Sequence, residues 1–318
     1  MAYPHDPSLL QPASPPGAPA GGLPGATIDW LFQGPRLGVA LWDCAAGKRG
    51  LSEERSPLWH VVSFVHSGAF VLHAQGQSTV IDATSVLFHN PGDPFRSEHP
   101  FGHCDRGSFI GIHREALLEL LAGQDPEAAE RPRALFPRPY VHGLFGACLL
   151  QRLLVRRLQA GPPLDLMAVE EIVLKVLAGA VKGTRQVQEP ASTRREPARA
   201  RRCYAEDVKA LLQQRFRERL QLDDIARSLY VSPYHLCRTF QERTGVPIHR
   251  YLNRLRVREA METMAEGEVD LSDLALGLGF SSHSHFTAAF RKELGIPPRG
   301  MRKLKTARMA EMVRALDL

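Results

Sequence analysis

Histidine side chains are concentrated in one stretch of this 318-residue chain, where they could bind a metal ion. Seven of the 13 histidines lie between positions 60 and 113, and imidazole is a common ligand of zinc and iron. No two of these seven are separated by a single residue, and His103 and Cys104 are adjacent rather than offset. His283 and His285 are separated by a single residue, but side chains two positions apart on a helix point away from each other. We therefore expect no bound metal and no cofactor.

Cysteines are the second group of side chains that could do chemistry. The five cysteines, at positions 44, 104, 148, 203 and 237, form neither a C-x-x-C pair nor an even disulfide framework. Reduced cysteines of this kind are typical of a cytoplasmic protein. No apolar run approaches the roughly 18 residues that a membrane helix needs. The sequence thus predicts a cytoplasmic protein without a membrane segment.

A third group of polar side chains lies on a pattern that occurs twice, LDDIARSLYVSPYHLCRTF from Leu222 and LSDLALGLGFSSHSHFTAAF from Leu271, with one residue added in the second copy. In each copy, apolar residues at i, i+3, i+4 and i+7 predict a short helix, and serine then marks the start of a second helix. Each second helix has an i, i+4 apolar pair and ends at a Gly-x-Pro sequence, at Gly245 and at Gly295. Helix, tight turn and second helix make a helix-turn-helix, predicted here twice.

The outward face of each second helix carries side chains suited to reading DNA bases. In the first copy, four such residues recur at i, i+3, i+4 and i+7, opposite the apolar pair. Arginine can donate to both O6 and N7 of a guanine, while tyrosine or cysteine can pack on thymine methyl groups. We expect base contacts from seven residues of the two copies: Tyr234, Cys237, Arg238, Gln241, His283, Ser284 and Thr287.

The excess of positive over negative charge is confined to the same part of the chain. Residues 201–318 carry 21 basic and 15 acidic side chains, whereas the first 200 residues carry 19 of each. Such an excess is expected of a domain that binds a polyanion. Between the copies, PIHRYLNRLRVREAMETMA predicts one continuous arginine-lined helix, which could hold both units against a duplex whose major-groove segments recur about every 34 Å. We expect phosphate contacts from six residues: Ser232, Arg254, Arg256, Ser281, Ser282 and Arg291.

The elements upstream of the repeat are of a different kind. Short segments rich in Val, Ile and Phe, separated by Gly, Pro, Asn and Asp, predict a barrel or sandwich from about Trp30 to Ile112. Two apolar stripes, at 144–158 and 166–177, predict two helices behind it. The predicted fold class is α+β, a β-barrel with two trailing helices followed by an all-α double helix-turn-helix domain. The predicted parts are a disordered leader (1–25), a sensor and dimerisation domain (26–182), a linker (183–200), a DNA-binding domain (201–305) and a tail (306–318).

Residues from about 204 to 303 resemble the DNA-binding domain of AraC/XylS-type transcription regulators, in which a long helix joins two helix-turn-helix units. The upstream part is similar to the cupin-like sensor domain of many family members, chiefly through FVHSGAFVLHA and VLFHNPGDPFRSEHP. The resemblance implies a regulator that binds double-stranded promoter DNA, is a homodimer through the helices between positions 143 and 181, and has RNA polymerase as a candidate partner. The matching C-terminal positions are Ile225, Ala226, Ser232, Leu236, Arg238, Phe240, Gly245, Pro247, Tyr251, Arg256, Ala260, Ala275, Gly279, Phe280, Ser281, Phe286, Phe290, Gly295 and Pro298.

Three positions depart from the family pattern. Ala288 stands where family members often have arginine, so we expect the first unit to dominate the choice of sequence. Tyr230 occupies the turn position that Gly279 occupies in the second copy, which predicts a strained left-handed residue. Met301 replaces the usual aromatic residue near the end of the domain.

A barrel without metal ligands can still bind a small molecule. Arginine in such a pocket would favour an anionic effector. Two alternatives to an effector-responsive regulator are a metal-dependent cupin enzyme with a helical appendage and an alkylation-repair regulator with a reactive cysteine cluster. The histidine spacing counts against the first and the scattered cysteines against the second, so we expect no enzyme and no catalytic residue. The candidate pocket residues are Phe64, His66, His73, Phe88 and Arg96.

Overall fold

The structure of the protein, a computed structural model, describes residues 26–44, 50–100, 105–122, 128, 130, 131, 134–160, 166–186 and 198–306. The predicted leader (1–25), residues 307–318 of the predicted tail, the middle of the predicted linker (187–197) and the pair His103-Cys104 lie outside these residues. Within the described ranges, no helix combines the length and the apolarity needed to cross a bilayer.

The N-terminal half is built from antiparallel strands. Their bounds are β1 Ala26–Gln33, β2 Leu37–Cys44, β3 His60–Ser67, β4 Ala69–Ala74, β5 Gln77–Asp82, β6 Ser85–His89, β7 Phe95–Glu98, β8 Arg106–Ile112 and β9 Tyr140–His142. They form a larger sheet in the order β1-β2-β8-β3-β6-β9 and a smaller sheet in the order β5-β4-β7. The strand-rich region predicted between Trp30 and Ile112 is therefore present, and β9 is an addition to it.

The two sheets face each other across a small apolar cluster that includes Val65 and Leu87 of the larger sheet and Phe70, Leu72 and Ile81 of the smaller one. No backbone ladder joins the sheets among the described strands. The observed architecture is thus two packed antiparallel sheets, and closure into a barrel stays a prediction.

Three helices follow the strands: α1 Arg114–Leu121, α2 Phe145–Ala160 and α3 Leu166–Gln186. The two apolar stripes predicted α2 and α3, but not α1. Leu149 and Leu153 of α2 and Val173 of α3 are buried in one core with Phe64 and Ile110 of the larger sheet. The apolar stripes are therefore buried within the chain, and a dimer through these helices would have to use their other faces.

The C-terminal part is helical. Its bounds are α4 Ala198–Arg215, α5 Leu222–Ser228, α6 Pro233–Thr244, α7 Ile248–Glu266, α8 Leu271–Gly277, α9 His283–Leu294 and α10 Pro298–Thr306. The helix predicted between the two copies is α7. The predicted linker is helical at both ends, because α3 continues to Gln186 and α4 begins at Ala198. No proline interrupts GTRQ, and the alanines and arginines of ARARR favour helix, which the sequence interpretation did not take into account.

The two helix-turn-helix units belong to different hydrophobic clusters. The first unit, α5 and α6, packs with α4 and the start of α7 around Val208, Leu236 and Tyr251. The second unit, α8 and α9, shares one continuous cluster with α2, α3 and the larger sheet, to which Met261 of α7 also belongs. Met301 is buried in that cluster, so methionine fills the place expected of an aromatic residue. Helix α7 therefore lies between both units and the strand half.

Candidate DNA interface

The two copies of the repeat form the same local structure. Ser232 caps α6 by accepting a hydrogen bond from the backbone N–H of His235 at 3.2 Å, and Ser282 caps α9 in the same way through His285 at 3.1 Å. Both helices end at a left-handed glycine, with φ of 72° and 77°. The predicted starts and ends of the second helices are thus confirmed.

The residue added in the second copy lies in the turn. Tyr230 has a φ of 56° and Gly279 a φ of 77°, so both occupy the same left-handed position. One residue lies between Tyr230 and N-cap Ser232, whereas two residues lie between Gly279 and N-cap Ser282. The predicted left-handed conformation of Tyr230 is confirmed, and the residue is 96% exposed. Glycine is required at 279, because a Cβ there would lie 2.6 Å from the carbonyl oxygen of Arg217.

Helix α6 presents the predicted base-reading residues unequally. Leu236 and Phe240 are buried, whereas the Tyr234 side chain is 76% exposed. Gln241 is exposed, but Cys237 packs partly against the hydrophobic cluster of the first unit. The structure therefore leaves Tyr234 and Gln241 fully available to a partner and offers only one side of Cys237.

Arg238 is held by its own helix. Its Nε donates to Oε1 of Glu242, one turn later, at 2.8 Å, and this hydrogen bond, with the charges of Glu242 and Tyr234, raises the pKa of the guanidinium. The ion pair is exposed on both sides, so it is weak and salt-sensitive. To contact a guanine with both donors, Arg238 would have to rearrange away from Glu242.

Helix α9 brings its predicted residues together on one surface. His283, Ser284, Thr287 and Arg291 line a shallow depression of about 610 Å³ with Ala288 and Lys292. The hydroxyl oxygen of Thr287 is buried and makes no hydrogen bond within the described residues. Lys292 was missed, because the sequence interpretation followed the i, i+3, i+4 positions of the first copy and Lys292 lies beside that stripe.

The helix starts suit phosphate groups. The Ser232 and Ser282 oxygens accept from backbone N–H groups, which leaves each hydroxyl proton available to a phosphate oxygen. The positive end of the helix dipole favours an anion at the same place. Ser281 lies beside the second start, with its Oγ 3.2 Å from Nδ1 of His285. These serines remain predicted phosphate contacts, together with Arg291, which is exposed.

The phosphate contact expected from Arg254 is not available in this structure. Its Nε pairs with Oε2 of Glu293 at 3.0 Å, and Arg250 pairs with the other carboxylate oxygen at 3.1 Å. Glu293 is 5% exposed, so the carboxylate on α9 is matched by two arginines of α7. The Arg254 guanidinium also lies 5.9 Å from the ring centre of Phe145. The prediction took the charge of α7 as exposed, whereas the Arg254 side chain is 14% exposed in this structure.

Arg256, the second predicted phosphate contact on α7, is also turned inward, and the residue is 5% exposed. Its Nε donates to the carbonyl oxygen of Phe216 at 2.7 Å and its Nη2 to that of Glu218 at 2.7 Å. The guanidinium stacks over the ring of Phe280, 5.4 Å from its centre. Burial lowers the pKa of Arg256 to about 10. Arg256 thus joins the loop after α4 to the turn of the second unit.

Arg258, the last arginine of α7, extends into the strand half. Its side chain is fully buried, with Nε donating to the carbonyl oxygen of Ala83 at 2.8 Å and Nη2 to that of Val65 at 3.1 Å. The Tyr251 hydroxyl donates to Asp82 nearby, and burial with the charge of Asp82 raises the Tyr251 pKa well above its usual value. Charge alone gave no sign of these roles.

The five predicted pocket residues do not line one cavity. Phe64 and Phe88 are fully buried in the core beneath α2 and α3. His73 is bonded to Ser78 and Glu98 on the smaller sheet. Arg96 lies on that sheet too, 3.8 Å from Glu54. The fifth, His66, lines a cleft in the described part of the chain that the other four do not line.

The cavity beside His66 is a cleft of about 520 Å³ between the larger sheet and α7. The His66 imidazole is buried, with Nε2 3.0 Å from Ser108 Oγ. Burial, followed by the charges of Arg152 and Arg258, holds its pKa well below the usual value, so this ring is neutral. The other charged residues on the cleft walls are Asp29, Asp43, Arg106, Glu259, Glu262 and Glu266.

Comparison with known proteins concerns the C-terminal part first. Residues 225–304 match the family model of a helix-turn-helix domain. Over 94 residues the chain is 35% identical to the HTH-type transcriptional activator RhaS of Escherichia coli O139:H28 (strain E24377A / ETEC), a match that covers 30% of this chain and 34% of RhaS. The chain thus spans about a third of the length of the curated relatives it matches.

Two solved structures are also similar. ToxT from Vibrio cholerae O395 is 14% identical, covers 86% of this chain and 99% of its own, and has a TM-score of 0.34. The C-terminal domain of AraT, a response regulator from Geobacillus stearothermophilus, is 24% identical, covers 33% of this chain and 88% of its own, and has a TM-score of 0.31. The capped repeat and the sequence matches agree on one conclusion. The C-terminal third of the chain is a double helix-turn-helix domain of the AraC/XylS type.

Proposed function

We propose that the protein is a sequence-specific, DNA-binding transcription regulator that acts in the cytoplasm and responds to a small molecule. The observation that carries the proposal is the pair of serine-capped helices, α6 and α9, each with polar side chains exposed on one face. The match to a transcriptional activator over the same residues supports it. The proposal assigns the protein no catalytic step.

The two units contribute differently to the choice of sequence. On α6, Tyr234, Arg238 and Gln241 offer hydrogen-bond donors and acceptors, and a bidentate arginine–guanine contact gives roughly 5- to 150-fold discrimination against a wrong base. On α9, the exposed Ala288 offers none. We therefore assign base reading mainly to the first unit and phosphate binding mainly to the second.

Selection of bound sites from random DNA tests this assignment. The wild-type protein should recover a motif, and Arg238→Ala should lose base preference at one position within one half of it. Arg243→Ala is the matched control, because Arg243 is exposed on the same helix and is not among the predicted base contacts. Arg243→Ala should leave the motif unchanged. If Arg238→Ala weakened binding equally on all sequences, the role assigned to Arg238 would be wrong. If the wild-type protein recovered no motif, the proposed function itself would be wrong.

The cleft between the larger sheet and α7 is the proposed effector site. It holds five carboxylates and two arginines among the described residues, and Arg152 is already paired with Glu262 and Glu266. A site with this excess of negative charge favours a cationic ligand. This differs from the anionic effector expected from Arg96, which lies on the smaller sheet and outside the cleft.

Thermal shift assays with cationic and anionic probes test the charge of the effector. Diamines and spermidine should raise the melting temperature of the full chain, whereas dicarboxylates should not. Asp29→Asn should reduce the shift, and Glu54→Gln, at a carboxylate outside the cleft, should leave it unchanged. A larger shift with dicarboxylates would contradict the assignment.

The proposed homodimer and the contact with RNA polymerase rest on the family resemblance. The apolar stripes of α2 and α3 are buried within the chain, but Met167 on α3 is 75% exposed. Light scattering on the full chain, with and without Met167→Lys, would show whether two copies associate there.

A further inference from the structure

One side-chain group outside the proposed DNA and effector sites brings together three metal-ligand types. Cys44 Sγ, His99 Nε2 and a carboxylate oxygen of Asp105 all lie within 4.8 Å of one another. Cys44 ends β2 of the larger sheet, Asp105 immediately precedes β8 of that sheet, and His99 immediately follows β7 of the smaller sheet. The backbone N–H of Cys44 donates to the carbonyl oxygen of Asp105 at 3.0 Å, which fixes these two residues side by side.

The distance between Cys44 Sγ and His99 Nε2 suits two ligands of a single ion. Zinc–sulfur and zinc–nitrogen bonds of about 2.3 and 2.0 Å at a tetrahedral angle place the two ligand atoms about 3.5 Å apart. Cys44 Sγ and His99 Nε2 are 3.6 Å apart. Sulfur, imidazole nitrogen and carboxylate oxygen are the ligand atoms that zinc takes in proteins.

The orientation of Asp105 gives independent support. Its side chain is 4% exposed, and Oδ1 lies 2.8 Å from His99 Nε2. At that distance a hydrogen bond would be expected, yet Oδ1 accepts none within the described residues. The carboxylate oxygen and the ring nitrogen are therefore close without pointing at each other. Two ligands directed at a common third point have this relation, and a buried carboxylate oxygen without a partner is costly.

The same three residue types could also form a nucleophile, a base and an orienting acid. In that arrangement the base contacts the nucleophile through one ring nitrogen and the acid through the other. Here both Cys44 and Asp105 approach Nε2 of His99. A proton relay through the imidazole is thus not formed, whereas shared ligation of an ion requires both atoms on the side of the same nitrogen.

We propose that Cys44, His99 and Asp105 bind a zinc ion, with water in the fourth position. The thiolate and the carboxylate balance the two positive charges of the ion. The ring of Phe70 lies beside His99, with 5.8 Å between ring centres, and provides an apolar wall. His99 directly follows a strand of the smaller sheet, whereas Cys44 ends one strand of the larger sheet and Asp105 directly precedes another. The ion would therefore link the two sheets, which no backbone ladder joins among the described strands. The proposal does not depend on DNA binding.

Cobalt substitution of the full-length protein tests the site directly. Co²⁺ should bind one equivalent per chain, with a thiolate-to-cobalt charge-transfer band and the intense visible bands of tetrahedral coordination, and Zn²⁺ should displace it. Cys44→Ser should abolish the charge-transfer band. Asp105→Asn should keep the shape of the side chain and weaken zinc binding at least 10-fold, since even outer-shell partners of metal ligands are worth roughly 10- to 100-fold.

Two variants serve as controls. Cys237→Ser removes a thiol outside the group, and His73→Gln removes a histidine that lies 2.9 Å from a carboxylate elsewhere on the smaller sheet. Both should retain the cobalt spectrum and the zinc affinity. Circular dichroism of each variant separates loss of ligation from loss of folding, and Asp105→Asn decides the matter if Cys44→Ser does not fold. A spectrum without the thiolate band, or equal zinc binding in the wild type and Asp105→Asn, would overturn the proposal.

Discussion

Arg258→Met tests whether α7 holds the helical domain against the strand half. The Arg258 guanidinium has no exposed surface and donates to the carbonyl oxygens of Ala83 and Val65. It also lies 3.3 Å from Glu262, whose side chain is 8% exposed. Methionine keeps most of the aliphatic length of arginine and removes every donor. The substitution therefore removes the polar contacts with little loss of packing.

The expected cost follows from what remains after the substitution. Removal of one partner from a buried ion pair costs about 3–5 kcal/mol, because the other charge stays buried. Glu262 still pairs with Arg152, so the lower end of this range applies to the charge. The two carbonyl oxygens lose a charged donor, which removes a further contribution of about 1.5 kcal/mol or more. We expect the free energy of unfolding to fall by about 4–5 kcal/mol, a large part of the 5–15 kcal/mol typical of folded domains.

Urea denaturation followed by two signals measures this effect. The three tryptophans, Trp30, Trp42 and Trp59, all lie in the strand half, so their fluorescence reports its unfolding, while far-ultraviolet circular dichroism reports mainly the helices. Both signals should move to lower urea in Arg258→Met. Arg250→Met is the matched control on the same helix, because Glu293 keeps Arg254, and it should change stability by less than about 1 kcal/mol. Equal midpoints for the two variants would refute the role given to Arg258.

Three further predictions concern single side chains. Glu242→Gln releases Arg238 from its ion pair on α6. The variant should bind a selected DNA site about twofold more tightly, since an exposed i, i+4 pair contributes about that much. Fluorescence anisotropy measures this affinity, and unchanged or weaker binding would contradict the prediction. Burial and the nearby arginines hold the pKa of His66 below its usual value in the folded state. The contribution of His66 to the free energy of unfolding should therefore be constant above about pH 6.5. It should fall as the pH drops below that value, because the unfolded chain takes up the proton first. Urea unfolding across this range should show a flatter profile for His66→Gln. Arg291→Ala should reduce the slope of the logarithm of the DNA-binding constant against the logarithm of the salt concentration by about 0.9, the value of one phosphate contact. Arg254→Ala should leave the slope unchanged. Equal slopes for the two variants would contradict the interface described.

The helix-turn-helix repeat could be predicted from the sequence because its signals are local. Ser232 and Pro233 start α6, Gly245 ends it, and the Leu236–Phe240 pair marks its buried face, all within 14 residues. The left-handed position of Tyr230 followed from its alignment with a glycine. Each of these features depends on neighbours in the chain, so no knowledge of the tertiary fold was needed.

The arginines of α7 could not be interpreted in this way, because their partners are distant in sequence. Arg256 contacts carbonyl oxygens 38 and 40 residues away, and Arg258 contacts carbonyl oxygens 175 and 193 residues away. A backbone carbonyl leaves no mark in the sequence. Charge counting therefore assigned to the DNA surface two side chains, Arg254 and Arg256, that hold the domain together.

The strand half shows a second limit of sequence reasoning. Alternation of side chains indicates that Phe64 and His66 share one face of β3, but not what covers that face. Helices α2 and α3 cover Phe64, so a residue assigned to a pocket belongs to the core. Cys44 and His99 are 55 residues apart, and a search for short metal-ligand spacings could not bring them together.

Helix α7 connects the proposed effector cleft with the proposed DNA surface, because side chains of this one helix contact both. Glu259 and Glu266 line the cleft, Arg258 binds the strand half, and Arg254 holds Glu293 on recognition helix α9. An effector that alters how α7 docks on the larger sheet will therefore change the position of α9 or the free energy of holding it. Because such coupling is reciprocal, operator DNA must change the affinity for the effector by the same factor as the effector changes the affinity for DNA.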